Sequence, residues 1–369
     1  MRGEHVDDPH RAGRLSAFTA FWRHRKKRCP WPDRTPTGRQ VSLFRSAIIV
    51  SAALVALGPG AAGAQTPQKV YRVAHLSTAG RTSDGAPPRP LREGLRGLGY
   101  VEGQNLVYEA RFAEGKVDQL PRLAAELVAL KVDVIVAQGR PAVAAAKQAT
   151  STIPIVIAPA SSDAVATGLI ESLPRPGGNV TGLTDELSQL SAKRMQILKE
   201  TVPKVARIAV LWNATDPGMS LRYRAIENAA RILDVQVESF ALQSPDDFEP
   251  AFTVMTRRRP DALFLVTDAL TNMNQKRVVE FSATHRVPAM YESSAVVRQG
   301  GLMSYGPSPE DMFRRAAGYI DRIFKGAKPA DLPAEQPTKY YLSVNFKTAA
   351  TLGLTIPPSV LLRADDVVQ

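Results

Sequence analysis

The chain has 369 residues, 44% of them apolar and 22% charged, and a formal net charge of +12. That length suits about two domains, and the composition excludes a disordered or fibrous chain. The one cysteine, Cys29, excludes a disulfide scaffold and a multi-cysteine metal centre.

Residues 1–64 hold eleven Lys and Arg against four acids. The basic balance is therefore largely a property of this leader, and it is not read as a nucleic-acid patch. Arg39 and Arg45 precede the apolar run from Ala47 to Leu57, which Gly58-Pro59-Gly60 interrupts. Ala62-Gly63-Ala64 then supplies the small residues of a cleavage site. A charged segment, a short apolar run and an A-x-A end describe a secretory signal peptide. The run is too short to span a bilayer comfortably. Cleavage is expected after Ala64, which sends residues 65–369 to the periplasm. The basic, proline-containing stretch ahead of Arg39 is unusual for a signal peptide. It reads as a gene-model extension, with translation starting near Val41. Cys29 lies within the leader, so thiol chemistry and lipid anchoring at cysteine are not expected of the mature chain.

Residues 70–76 (VYRVAHL) read as a first strand, 91–98 as a helix ended by Gly99, and 106–112 as a second strand. Leu120, Leu123, Ala124, Leu127 and Leu130 recur at helical spacing, so 118–130 is an amphipathic helix. Residues 132–137 (VDVIVA) form a third strand, apolar enough to be a parallel strand covered on both faces. An Ala-rich helix over 142–149 and a fourth strand over 153–158 complete a β-α-β-α-β-α-β unit. The pattern then restarts, with strands at 206–212, 235–242, 261–267 and 287–291 and helices at 187–201, 221–233 and 273–285. Ser244-Pro245-Asp246-Asp247 and Ser308-Pro309-Glu310-Asp311 are matching helix caps. A strand at 341–345 and a tail helix close the chain. The fold class is α/β: two doubly wound parallel-sheet lobes of similar length, joined by a hinge as a clamshell.

In such sheets ligands bind beyond the carboxyl ends of the strands. After the first strand, Ser77, Thr78 and Asp84 lie in a loop rich in glycine and hydroxyls. After the third come Gln138, Gly139 and Arg140, opening a helix whose free amides favour an anion. After the fourth come Ser161, Ser162 and Asp163, where Asp163 also fits a plain cap. In the second half, Trp212 and Asn213, Asp268, and Tyr291 and Glu292 end strands. Asp268 and Glu292 suit an ammonium group, or are ordinary carboxylates at helix starts. Trp212 offers a flat wall at the mouth of the cleft, or packs under the following helix.

The enzyme templates fail. Gly94, Gly97 and Gly99 are wrongly spaced for a dinucleotide loop, and there is no Walker A loop, H-E-x-x-H or G-x-S-x-G. His75 and His285 are the only histidines after the leader and fall in different lobes, so no histidine triad or metal site is expected. Neither a catalytic residue nor a cofactor is assigned. A secreted α/β hydrolase is the remote alternative.

Several segments carry a resemblance: Leu98–Asn105 (LGYVEGQN), Leu120–Ala137 (LPRLAAELVALKVDVIVA), Arg175–Thr184 (RPGGNVTGLT), Gly300–Gly306 (GGLMSYG), Lys325–Thr338 (KGAKPADLPAEQPT) and Leu352–Ser359 (LGLTIPPS). They resemble the solute-binding proteins of ABC-type transporters in the family that includes tryptophan-binding members. The resemblance implies a type I periplasmic binding protein that holds a small-molecule ligand between its lobes and performs no catalysis. Its partners would be an ABC permease and ATPase complex at the inner membrane. A ligand-sensing protein of the same fold, partnering a receptor, is the other reading. On that template residues 65–183 with 307–336 form one lobe and 184–306 with 337–369 the other. Where such proteins often carry Gly-Thr-Pro, this chain has Gly139-Arg140-Pro141, and where they often carry Asp-Pro it has Asp163-Ala164. Arg140 adds a group with bidentate reach for a carboxylate. An anionic or carboxylate-rich solute therefore stands beside tryptophan-like ones.

Overall fold

In a computed structural model of the chain, residues 69–159, 163–185 and 190–369 are described. The segment expected to be a signal peptide, with its expected cleavage site, Cys29, Ser161 and Ser162 lie outside the described residues. The strands are β1 Tyr71–Ser77, β2 Leu106–Phe112, β3 Val134–Gln138, β4 Ile155–Ile157, β5 Val180–Gly182, β6 Arg207–Asn213, β7 Gln236–Leu242, β8 Ala262–Leu265, β9 Ala289–Tyr291, β10 Met303–Gly306, β11 Tyr341–Asn345 and β12 Asp366–Val368. The helices are α1 Arg89–Gly97, α2 Leu120–Ala129, α3 Arg140–Ala149, α4 Ser191–Thr201, α5 Pro217–Ile232, α6 Phe248–Arg258, α7 Ala269–Met273, α8 Gln275–His285, α9 Ser294–Arg298, α10 Pro309–Phe324, α11 Phe346–Thr351 and α12 Pro358–Leu361.

Two sheets result, one ordered β2-β1-β3-β4-β5 and one ordered β12-β11-β10-β9-β8-β6-β7. Pairing is parallel throughout except between β10 and β11. Each sheet carries helices on both faces, and the period of two along each strand decides which side chain meets which layer. In β3, Ile135 and Ala137 join the core under α2 and α3, while Val134 and Val136 join the core under α1 and α10. In β6, Ile208 and Val210 pack toward α4 and α5, and Ala209 and Leu211 toward α6 and α8. This double coverage explains why these strands are continuously apolar.

Helix α10 follows β10 of the second sheet yet buries Met312, Phe313, Ala316 and Ile320 against the first. The chain then returns to form β11. Where it passes between sheets, Leu183 and Glu335 form a bridge: Thr184 N donates to Glu335 O at 3.0 Å and Glu335 N to Gly182 O at 2.9 Å.

Three differences from the sequence expectations have local causes. Strands β5, β10 and β12 are only three or four residues long, too short for a period to be legible. The helix expected over 273–285 begins earlier and breaks at Asn274, because Asp268 caps a separate five-residue α7. The tail is two short helices and then a strand, not a single terminal helix. No helix among the described residues is long and apolar enough to cross a membrane.

Candidate functional site

The carboxyl ends of β1, β2 and β3 in one lobe and of β6, β7 and β8 in the other converge on a cavity of about 520 Å³. Its walls come from those strand ends and the residues after them: Thr78, 114–118 and 139–141 from the first lobe, and Asn213, Thr215, Asp216, Met219, 243–245, 268–270, Met273 and Asn274 from the second.

On the first lobe, Gly139 joins β3 to α3 with φ +87°, a left-handed conformation natural to glycine. A Cβ there would lie 2.8 Å from Thr78 Oγ1, so the two strand ends are in close contact. Arg140 is the first residue of α3. Its Nε donates to Asp216 Oδ1 at 2.5 Å, across the cavity from one lobe to the other. The Asp216 side chain is only 5% exposed and that of Arg140 19%. Asp216 also caps α5 by accepting from Gly218 N at 2.8 Å.

On the second lobe, Asn213 Nδ2 donates to Asp268 Oδ2 at 2.5 Å, and Asn213 Oδ1 accepts from Thr215 N at 2.9 Å. Asp268 Oδ1 accepts from Thr271 N at 2.9 Å as the cap of α7. Burial pushes the Asp268 carboxyl above the ordinary carboxylate range, and the nearby Asp216 charge adds to the rise. The Thr271 amide and the Asn213 side chain oppose it. The apolar wall is Val117 from the first lobe with Met219, Leu270 and Met273 from the second. A Cβ built on Gly115 would lie 3.2 Å from Met273 Sδ, so the lobes also touch there. The cavity thus combines donors at α3, carboxylates at α5 and α7, and apolar side chains between them.

Of the described residues expected at the site, Thr78, Gly139, Arg140, Asn213 and Asp268 line this cavity, and the other described ones do not. Ser77 Oγ is buried and donates to Gln138 Oε1 at 3.2 Å, so both tie β1 to β3 beneath the cavity floor. Asp84 pairs with Arg92 of α1 and accepts from Ala86 N at 3.2 Å, bracing its own loop. Asp163 caps the following turn through the amides of Val165 and Ala166, at 3.0 and 2.9 Å. Trp212 is a correction in the same sense. Its ring stacks on Tyr223 of α5 at 4.7 Å, and Nε1 donates to Ser239 Oγ at 2.8 Å. Strand alternation turns Trp212 toward the helix layer and leaves Asn213 to the cavity. Tyr291 is fully buried in the core of the second lobe. Glu292 is buried between Arg194 and Arg222.

Sequence reasoning passed over 114–118, Asp216, 243–245 and most of 269–274. Two signals were available. The loop after β2 is as much a parallel-strand end as the loops after β1 and β3. Asp216-Pro217 is a helix-start signature, an N-cap acid before a proline. Among the described residues no group of three His, Cys, Asp or Glu side chains is placed to hold a metal ion.

The family model described as ABC transporter substrate binding protein matches residues 87–368. A tyrosine-binding protein of Clostridioides difficile (strain R20291) is 25% identical over 260 residues, 70% of this chain and 74% of that protein. The solved structure of an ABC domain in complex with L-Trp, from Streptococcus pneumonia, is 27% identical with a TM-score of 0.76. The match covers 81% of this chain and 100% of that one. A conserved domain protein of Vibrio cholerae O1 biovar El Tor strain N16961 gives the same TM-score and coverage at 25% identity.

Proposed function

The chain belongs to the ABC transporter substrate-binding protein family, and from that premise we propose that it is exported to the periplasm, captures an amino acid in the cavity between its lobes and presents it to a permease and ATPase complex at the inner membrane. The observation that carries this reading is the cavity itself, about 520 Å³. That volume is ordinary for a small-ligand site. Six strand ends supply its walls, three from each sheet. A solute touching both walls binds the closed arrangement better than an open one. It therefore shifts the population toward closure, which a membrane partner reads.

The lining narrows the solute class. Glu114, Asp118, Asp216 and Asp268 stand against Lys116 and Arg140, an excess of negative charge that disfavours a dicarboxylate. A zwitterion matches better, with its ammonium toward the carboxylates and its side chain along Met219, Leu270 and Met273. The tyrosine bound by one relative and the L-Trp bound by another are consistent with that chemistry. The ligand contacts proposed are Thr78, Gly139, Arg140, Asn213 and Asp268. The lobe division proposed is 65–183 with 307–336, and 184–306 with 337–369. It is supported by the packing of α10 on the first sheet and the return of β11 to the second.

A thermal-shift screen of the mature chain against amino acids, nucleosides and sugars tests the reading. A ligand at one hundred times its dissociation constant stabilises the fold by about 2.7 kcal/mol. An amino acid that raises the melting temperature supports the proposal. A screen in which sugars or nucleosides act and amino acids do not would overturn the solute class.

A further inference from the structure

We propose that Asp216 is a positioning residue that, from the second lobe, orients Arg140 of the first lobe to receive a carboxylate of the solute, so that carboxylate recognition is completed only when the lobes meet. The proposal rests on the solute-capture reading above and adds to it a specific chemical demand on the ligand.

A guanidinium presents five N–H donors in one plane. In Arg140 the Nε edge is committed to Asp216 Oδ1 at 2.5 Å, and this is its one hydrogen bond to any described residue. The two Nη groups bond no acceptor among the described residues, while the side chain lines the cavity and is 19% exposed. The end-on pair of Nη donors has the spacing that grips a carboxylate with two parallel bonds. Asp216 is itself fixed, because its Oδ1 also accepts from Gly218 N at 2.8 Å and its side chain is 5% exposed. The guanidinium is therefore held by a group that does not swivel.

The surroundings favour the same charge. Arg140 opens α3, a ten-residue helix whose first-turn amides have no acceptor within the helix. Pro141 withholds one of those donors, and the positive end of the helix adds to the Arg140 charge. Asp216 neutralises Arg140 only from the Nε side, so the Nη side remains a cationic edge backed by a helix start.

The two residues lie 76 positions apart, at the starts of helices that pack on different sheets. When the lobes separate, Asp216 withdraws with α5, and Arg140 is left as a long side chain without a fixed direction. Selection for the carboxylate is thereby tied to closure.

The test compares each solute with its C-terminal carboxamide, which removes the charge and keeps the shape. Wild type, R140A, R140K and D216N are titrated calorimetrically with L-tyrosine, L-tryptophan and L-leucine, their carboxamides, adenosine and D-ribose. Asparagine caps a helix about as well as aspartate, so D216N keeps α5 and removes the charge. Wild type is expected to prefer acid over carboxamide by about tenfold or more. R140A and D216N should each erase most of that preference, the acid losing far more affinity than the carboxamide, with R140K intermediate. Melting temperatures of the unliganded variants should stay near that of the wild type. Parallel weakening of acid and carboxamide in D216N would make the pair a simple clamp between lobes and overturn the proposal. So would equal binding of acid and carboxamide by wild type, or binding of adenosine or ribose alone, either of which leaves solute capture standing. Binding of nothing in the panel would remove both readings.

Discussion

Glu292 and Arg194, 98 positions apart, form a buried ion pair in the second lobe, with Oε1 to Nη1 at 3.0 Å and side chains 4% and 0% exposed. Arg222 bonds the same oxygen, and its Nη1 donates to Thr267 O at 2.7 Å. Glu292 Oε2 accepts from Thr267 N at 3.3 Å, and Arg194 Nε donates to Tyr305 O at 2.6 Å. The network therefore fastens the backbone just before Asp268 of the cavity to β10, where the chain leaves the second lobe. Burial pushes the Arg194 guanidinium down to about 10, with Glu292 opposing the shift.

Removing the shared anion leaves two buried cations facing each other. Glu292→Gln should therefore destabilise the fold by about 3–5 kcal/mol, the range for breaking a buried pair. Urea unfolding measures it. A loss below about 1 kcal/mol would mean that water or rearrangement compensates the arginines.

Gly139 supports Arg140 through a backbone that other residues adopt with strain. Gly139→Ala should cost about 1–2 kcal/mol from the left-handed conformation, with the Thr78 contact adding to it. Solute affinity should fall as the start of α3 shifts. Gly97→Ala is the control, since it sits in α1 with open space around it. That change should be neutral or stabilising by up to about 1 kcal/mol. Equal effects in the two variants would remove the special role assigned to Gly139.

His75 in β1 is fully buried between Phe112 and Phe313, with ring centroids 5.6 and 6.1 Å away. Burial pushes its pKa from 6.5 down to about 4. Below about pH 6.5 the unfolded chain takes up a proton that the folded chain resists until about pH 4. The stability contributed by the neutral ring is thus complete above pH 6.5 and is lost as the pH falls toward 4. Between pH 7 and pH 5 the loss should be about 2 kcal/mol. Urea midpoints at the two values measure it, and His75→Met should flatten that part of the difference. An unchanged difference in the variant would assign the acid sensitivity to other groups.

Trp212 is the one tryptophan of residues 65–369, and it packs on Tyr223 away from the cavity lining. Trp212→Phe should cost stability of about 1 kcal/mol through the lost Ser239 bond and reduced stacking. Calorimetric affinity for the solute should change less than about twofold. A tenfold loss would return this ring to the binding surface.

The apolar run of β3 and the helical spacing of Leu120, Leu123 and Leu127 were enough to establish a doubly wound α/β chain. A strand covered on both faces and a helix covered on one leave different periods in the sequence itself. The rule that ligands gather at strand ends likewise singled out Thr78, Gly139, Arg140, Asn213 and Asp268, which line the cavity. The same rule could not separate Trp212 from Asn213, adjacent in sequence and turned to opposite sides of one strand end. Nor could it show that Tyr291 and Glu292 end their strand inside a core. Only the tertiary structure brought Asp216 to Arg140, because that bond joins two helix starts on separate sheets. Local periodicity reports what an element buries, whereas a cavity between lobes is made from pairings that no single element contains.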